Sequence, residues 1–292
     1  MPELPEVETI KSELDKALKG KVFRGVEVLW SKTVEPQTER EFGQKIKNKK
    51  ILKIARRAKV IIFHLSDQTY LAVHLKMTGQ LIYKPKKGRL VVGGHSNPPA
   101  GRGGTDNLPN KYTRLVFNFT DGSQLFFNDL RKFGWICWLD QAALDVLTSG
   151  HGLEPLEKEF TLAALQQILA RYPKRKVKQI LLDQKLIAGV GNIYADEACF
   201  AAHILPIRVT KTLTSREIKD LYHHLIRILK LSISKKGTSS NNYRRSDGSR
   251  GNFMSYLKVY GRAKLKCLRC KTLIEKIKFN GRGTQYCPNC QR

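Results

Sequence analysis

Hydrophobic positions along this 292-residue chain follow two rhythms, one of helices and one of strands. Near the start, Val7, Ile10, Leu14 and Leu18 recur at helical spacing, and Pro5 suits a first turn, where a missing N–H costs nothing. The spacing predicts a helix packed on a core, holding residues 2 and 3 in place. From about Val22 to Cys137 the pattern is that of strands. "KVIIFHL" and "TYLAVHL" are short apolar runs. "RLVFNFTDGSQLFFND" reads as a hairpin: Leu115, Phe117 and Phe119 alternate, Asp121-Gly122 turns the chain, and Leu125 and Phe127 resume. The Gly-, Pro- and Lys-rich stretch 84–112 predicts a long exposed loop or insertion. Residues 149–160 read as a linker. Beyond it, Leu162, Leu165, Ile168 and Leu169 form one stripe. Thr214-x-x-Glu217 is a capping box opening a helix with Ile218, Leu221, Leu225 and Ile228 on one face. The pattern predicts an α+β multidomain chain: a β-rich domain 1–148, the linker 149–160, a helical domain 161–262 and a small Cys-bearing module 263–292.

Charge narrows the partner. Lys and Arg total 53 against 25 Asp and Glu, a net charge of +28 spread along most of the chain. That favours a polyanion, nucleic acid first and an anionic membrane second. RNA-associated proteins share this signature, so charge alone does not select DNA. No run approaches the roughly 18 uninterrupted apolar residues of a membrane span. The opening also lacks the basic and apolar regions of a secretory signal. Both point to a reducing cytoplasm, where structural disulfides are disfavoured.

The strongest local signal is "CLRC" with "CPNC". Cys267, Cys270, Cys287 and Cys290 form two C-x-x-C knuckles, a spacing that suits one tetrahedral zinc held by four thiolates. Four protein ligands leave no position for water, so this Zn2+ is expected to be structural. Cys137 and Cys199 sit in apolar contexts and read as small core residues. Between the knuckles, "KIKFNGRGTQY" reads as a hairpin with Arg282 at a Gly-flanked tip, where a guanidinium reaches a phosphate. "IAGVGNIYADEA" suggests a tight turn opening a helix at Asn192, which suits a phosphate or a plain turn. Lys59, in "RRAKV", is a candidate catalytic or phosphate-binding amine. "DLRKFGW" mixes basic and aromatic residues, as nucleic-acid stacking surfaces do. The opening "MPELPEVETI" carries the most chemistry. Loss of Met1 turns the Pro2 nitrogen into a secondary amine, and α-amino groups titrate near 8, so part is unprotonated at neutral pH. Attack on sugar C1′ gives an iminium that permits elimination, with Glu3 available as general acid or base.

Taken together, "MPELPEVET", "RRAK", "HLKMTGQL", "DLRKFG", "LLDQKLIAGVGNIYADEACFAA", "SDGSRGNF", "VYGR" and the terminal Cys pairs resemble the bacterial formamidopyrimidine-DNA glycosylase family, in family order over nearly the whole chain. The sibling endonuclease VIII group typically has Gly where Leu4 stands. The resemblance implies a β-sandwich with a flanking helix, a helix–two-turn–helix domain and a zinc hairpin. It implies excision of oxidised purines, 8-oxoguanine and formamidopyrimidines, from duplex DNA with the lesion flipped out, then β,δ-elimination. It also implies a monomer in the bacterial cytoplasm, associated with the nucleoid through DNA. Carried over by motif, Pro2 is the nucleophile, Glu3 the proton donor, Lys59 the β-elimination residue and Arg282 the δ-elimination residue. Met77, Arg131 and Phe133 fill the vacated space and wedge the stack. His74, Lys178 and Asn192 contact the DNA backbone, with Lys174 nearby. Residues 239–253 correspond to a loop over the flipped base. Asn110 or Lys111 stands where the family often has a DNA-contacting His. Lys76 replaces a common Gly, and Lys132 a common Arg; these differences bear on lesion preference rather than on chemistry. The competing function is a non-catalytic zinc-ribbon binder of nucleic acid, which has no use for a free Pro2 amine.

Overall fold

The computed structural model describes residues 1–94, 107–238 and 253–292. The expected loop over the flipped base lies, but for Phe253, outside the described residues. The chain divides into two compact units, Met1–Ser149 with Lys235–Asn252, and Gly150–Ser234 with Phe253–Arg292.

In the first unit, helix α1 (Leu4–Leu18) precedes strand β1 (Phe23–Val28), helix α2 (Glu39–Ile46) and strands β2 (Ile51–Arg57), β3 (Val60–Leu65), β4 (Tyr70–His74), β5 (Gly79–Lys84), β6 (Val91–Gly94), β7 (Thr113–Phe119), β8 (Gln124–Asp129) and β9 (Trp135–Leu139); helix α3 (Gln141–Ser149) follows. Two antiparallel sheets, β1-β7-β8-β5-β6 and β2-β3-β4-β9, form a sandwich. One core joins Phe63, Leu71 and Val73 of the second sheet to Leu81, Phe117 and Phe127 of the first. All four apolar residues that predict α1 are buried in that core. Gly122, at φ 83°, supplies the left-handed turn of the β7–β8 hairpin. The alternation in that hairpin is less clean than a one-faced sheet would give. Val116 and Phe126 point the other way and are buried with Ile82 and Val92 under Leu90 and Leu108.

The stretch 84–112 is not wholly a loop. Val91–Gly94 is the edge strand β6, paired with β5 from Gln80↔Gly94 to Tyr83↔Val91. Its glycines are there for contact: a Cβ on Gly93 would come within 2.7 Å of Ile10, and one on Gly94 within 2.4 Å of the Gly79 carbonyl. Residues 95–106 lie outside the described residues.

The second unit holds α4 (Leu162–Arg171), α5 (Val177–Leu182), α6 (Asn192–Ala201), α7 (Ser215–Ser234) and a hairpin of β10 (Glu275–Phe279) and β11 (Arg282–Tyr286). Thr214 caps α7 as its sequence predicts, its N–H donating to Glu217 Oε2 at 2.7 Å while Oγ1 accepts from Glu217 N at 3.3 Å. Leu221, Leu225 and Leu229 then line a core with Leu165, Leu169, Ile180 and Tyr194. Phe160 is buried in the same core, and Leu153 pairs in parallel with Ile187, so the stretch 149–160 lies largely against this unit. Cys199 is fully buried, whereas Cys137 is half-buried, its thiol pushed up to about 11 by burial.

Candidate functional site

One end of the sandwich gathers eight of the residues singled out in the sequence. Helix α1 runs antiparallel along β2 through three successive anchors. The Gly20 N–H donates to the Ile51 carbonyl at 2.8 Å, Ile54 N to Asp15 Oδ1 at 2.6 Å, and Arg56 Nε to Glu8 Oε2 at 2.9 Å. The direction of these anchors carries residues 2 and 3 toward the turn between β2 and β3, where Ala58 takes φ 52° and Lys59 is buried. Burial raises the Glu8 carboxyl; Lys11 and Arg56 outweigh it and hold the group below the ordinary carboxylate range. Pro2 is buried behind an exposed Met1, and Glu3 is 4% exposed as the N-cap of α1. The buried carboxylate of Glu6 fixes this start. It accepts from Glu3 N at 3.0 Å, and from Thr238 N and Oγ1 at 2.7 and 2.8 Å.

Strand pairing extends the row. Arg57 pairs with Val60, Val60 with His74, and His74 with Trp135. The half-buried His74 ring lies 5.6 Å from that of Trp135, and its Nδ1 accepts from Lys76 N at 2.9 Å. Lys76 takes φ 47° and Lys132 φ 58°, both left-handed. At Lys76 this is the conformation for which a glycine is the unstrained choice.

Asp129 shapes the rest of this end. It closes β8 opposite Gly79, the first residue of β5, so the Met77–Thr78 turn and the 130–134 turn are neighbours. The fully buried carboxylate accepts from the Thr78 hydroxyl, from Arg131 N at 3.2 Å, and from Phe133 N and Gly134 N at 2.8 and 2.7 Å. These bonds push the apolar tips outward: Met77 is 41% and Phe133 55% exposed, with the Arg131 guanidinium 4.7 Å over the Phe133 ring. Two exposed hydrophobic side chains held by buried polar turns are built for contact rather than for a core. Lys111 is exposed, with Nζ over the Tyr112 ring at 5.3 Å, and Asn110 Oδ1 accepts from Tyr112 N at 2.9 Å.

The second unit carries the remaining residues. Asn280 and Gly281, at φ 48° and 71°, turn the hairpin and leave Arg282 exposed at its tip, as its sequence predicts. A hollow of about 190 Å³ beside it is lined by Arg175, Gln179, Asp183, Phe279 and Asn280. Lys174 is exposed just before α5. Asn192 is the first residue of α6, and its Nδ2 donates to the Gly283 carbonyl at 2.9 Å. Lys178 has no exposed surface: its Nζ lies 2.6 Å from Asp196 Oδ1 and donates to Thr284 Oγ1 at 2.8 Å. Burial pushes the Asp196 carboxyl up to about 6 against the opposing charge of Lys178. Glu197 is raised by burial too, although its carboxylate accepts from the backbone of Lys258, Val259 and Tyr260.

The sulfur atoms of Cys267, Cys270, Cys287 and Cys290 lie within 4.8 Å of one another, with Cys270–Cys287 at 3.4 Å and Cys267–Cys290 at 3.9 Å. Thiolates about 2.3 Å from one ion are about 3.8 Å apart in a tetrahedron, so the set fits a single structural Zn2+.

Sequence reasoning missed the buried acids Glu6, Asp129, Asp196 and Glu197. The available signal for Asp129 was a carboxylate followed within five residues by a glycine, a pattern able to collect several backbone N–H groups.

Comparison with known proteins gives one consistent relationship. A model described as the formamidopyrimidine-DNA glycosylase N-terminal domain matches residues 1–136, one for the H2TH domain of the same proteins matches 151–243, and one for a zinc finger found in FPG and IleRS matches 264–292. The formamidopyrimidine-DNA glycosylase of Pelotomaculum thermopropionicum is 42% identical over 294 residues, covering all of this chain and 99% of that protein. That of Streptococcus pneumoniae serotype 4 is 36% identical over the same shares. Among solved structures, a Lactococcus lactis FPG variant in complex with Fapy-dG containing DNA matches with a TM-score of 0.87 and 33% identity over the whole of both chains. The Lactococcus lactis protein with abasic-site DNA matches with a TM-score of 0.84 and 33% identity over 99% of each.

Proposed function

We propose that this chain, which belongs to the formamidopyrimidine-DNA glycosylase family, is a DNA glycosylase and AP lyase that excises 8-oxoguanine and formamidopyrimidines from duplex DNA and nicks the strand. The observation that carries this reading is the start of α1: Pro2 and Glu3 are buried side by side, fixed by Glu6 and aimed at the turn bearing Lys59.

With Met1 removed, the Pro2 amine attacks C1′ of the damaged nucleotide and the base departs, leaving an iminium. Glu3 exchanges protons with the sugar during opening and hydrolysis. The iminium draws electrons from C2′, so loss of a C2′ proton expels the 3′ phosphate; Lys59 serves this β-elimination. Arg282 serves the δ-elimination that follows. Met77 and Phe133, with Arg131 beside them, fill the space left by the flipped nucleotide. Lys111 and Lys174 are exposed cations for phosphates, and His74 and Asn192 complete the backbone contacts. The zinc supplies no chemistry; its four thiolates hold the module that carries Arg282. The sandwich 1–148 is then the catalytic domain, 149–160 leads into the DNA-binding helical domain 161–262, whose Thr238 bonds back to Glu6 of the first unit, and 263–292 is the zinc finger. The protein acts as a monomer in the bacterial cytoplasm, on nucleoid DNA; among the described residues no helix is long and apolar enough to cross a membrane.

A panel of duplexes, each with one defined lesion, tests the reading. Nicking of 8-oxoguanine and formamidopyrimidine strands with phosphate at both new ends is expected. Binding to every duplex with no nicking would instead leave a zinc-ribbon DNA binder.

A further inference from the structure

The side chain of Lys178 has a different place from the one its motif implies. Its helix, α5, carries it into the interior, where it has no exposed surface. Every direction its Nζ takes is accounted for within the unit: Asp196 Oδ1 of α6 at 2.6 Å, Thr284 Oγ1 at 2.8 Å and the Gly283 carbonyl at 3.4 Å, the last two on β11. The other Asp196 oxygen accepts from Gln285 N at 3.0 Å, and Asn192 Nδ2 donates to the same Gly283 carbonyl. Three residues of two helices thus grip three consecutive residues of one strand, and the strand's preceding residue is Arg282. A two-residue turn leaves the hairpin tip few anchors of its own, and the flanking Gly281 and Gly283 add none.

We infer that Lys178, with Asp196, is a positioning residue: it latches the strand behind Arg282 and acts on DNA through that guanidinium, without touching a phosphate itself. The inference rests on the role given above to Arg282. An ammonium in water would repel no ligand and cost little. An ammonium taken wholly out of water is retained only where partners are fixed, and here those partners are hairpin atoms. Displacing a reacting group by about 1 Å costs up to about a hundredfold in rate, so a loosened latch is visible in catalysis.

The test separates the latch from a phosphate contact. Lys178→Met alone leaves the Asp196 carboxylate buried without its cation and is prone to misfold, so it is paired with Lys178→Met/Asp196→Asn, which removes both charges and keeps an acceptor for Gln285. Arg282→Ala, the triple variant and Lys174→Ala complete the set. Single-turnover formation of the 3′-phosphate end that δ-elimination leaves on an 8-oxoguanine duplex and the salt dependence of binding to the same duplex are measured, with zinc content as a check on folding. The double variant should retain zinc, form the 3′-phosphate end about tenfold more slowly and keep the wild-type slope of log K against log salt. Lys174→Ala should shallow that slope by about 0.9. Added to Arg282→Ala, the double variant should cost less than about twofold more, because both changes act on one element. A slope shallower by about 0.9 in the double variant, or a rate loss fully additive with that of Arg282→Ala, overturns the inference. Wild-type formation of the 3′-phosphate end by Arg282→Ala overturns the role of Arg282, and the inference with it, whatever the slopes show.

Discussion

Replacing Asp129 by Ala removes the carboxylate and leaves the backbone of the turn untouched. In the wild-type protein one carboxylate oxygen accepts from the Thr78 hydroxyl and Arg131 N, the other from Phe133 N and Gly134 N at 2.8 and 2.7 Å. Alanine offers no acceptor. Arg131 N keeps its bond to Thr78 Oγ1 at 3.0 Å, so Phe133 N and Gly134 N are the two donors left without a partner. Each buried donor left unsatisfied costs about 1–3 kcal/mol. The turn bears exposed residues and can open toward water, so the lower part of the range applies, about 2–3 kcal/mol in all. The loop is what opens: the closed form of residues 130–134 loses about 30- to 150-fold in population at about 1.4 kcal/mol per tenfold. Hydrogen exchange at Phe133 and Gly134 should rise by that factor, and excision of 8-oxoguanine from a duplex should slow because the wedge is no longer presented. Covalent trapping on a pre-formed abasic site needs no flipping by the wedge and should fall far less. Gly134 cannot relieve the problem, since a Cβ there would meet Phe127 at 2.6 Å and Asp129 at 3.1 Å. Unchanged exchange at Phe133 and Gly134, with an unfolding free energy within about 0.5 kcal/mol of wild type, would refute the assignment of Asp129 as the hub of this turn.

Two further outcomes follow from the geometry. Metal analysis after gel filtration should give one zinc per chain, and Cys270→Ser should lose it together with the affinity for DNA, because the module around β10 and β11 folds on its metal. For Glu8, the folded carboxyl titrates below its unfolded value of about 4.3, so its contribution to stability is complete above about pH 5 and disappears as the pH falls through the folded value. Glu8→Gln should therefore cost about 0.5 kcal/mol at pH 7, allowing for solvent screening, and the gap between the two proteins should narrow in urea titrations as the pH is lowered below the unfolded value.

Much of this was legible where a local rule sufficed. The period of Val7, Ile10, Leu14 and Leu18 marked α1, Thr214 and Glu217 marked the start of α7, and the two C-x-x-C knuckles marked the metal site before any coordinate was needed. Strand β6 was not legible because its glycines are chosen for closeness to Ile10 and Gly79, and a glycine looks the same in a loop. The burial of Lys178 was not legible for the opposite reason. A lysine in a basic chain reads as surface, and α5 spans only Val177–Leu182, too short to show which face is buried. Its partners stand 18 and 106 residues away, at Asp196 and Thr284, so no window along the chain contains them. The buried acids Glu6 and Glu197 are of the same kind: their use is to collect backbone N–H groups at Thr238 and at 258–260, which only the fold brings near.

The central claim is that the chemistry is carried by the amine of Pro2, and borohydride trapping tests it most directly. The protein is incubated with an 8-oxoguanine duplex and sodium borohydride, which reduces an iminium to a stable amine, and the adduct is located by peptide mapping. The sugar is expected on residue 2. A protein retaining Met1, whose Pro2 nitrogen is an amide, should give no adduct while keeping its zinc and binding DNA as before. An adduct on Lys59 in the unmodified protein, or trapping undiminished by Met1, would contradict it.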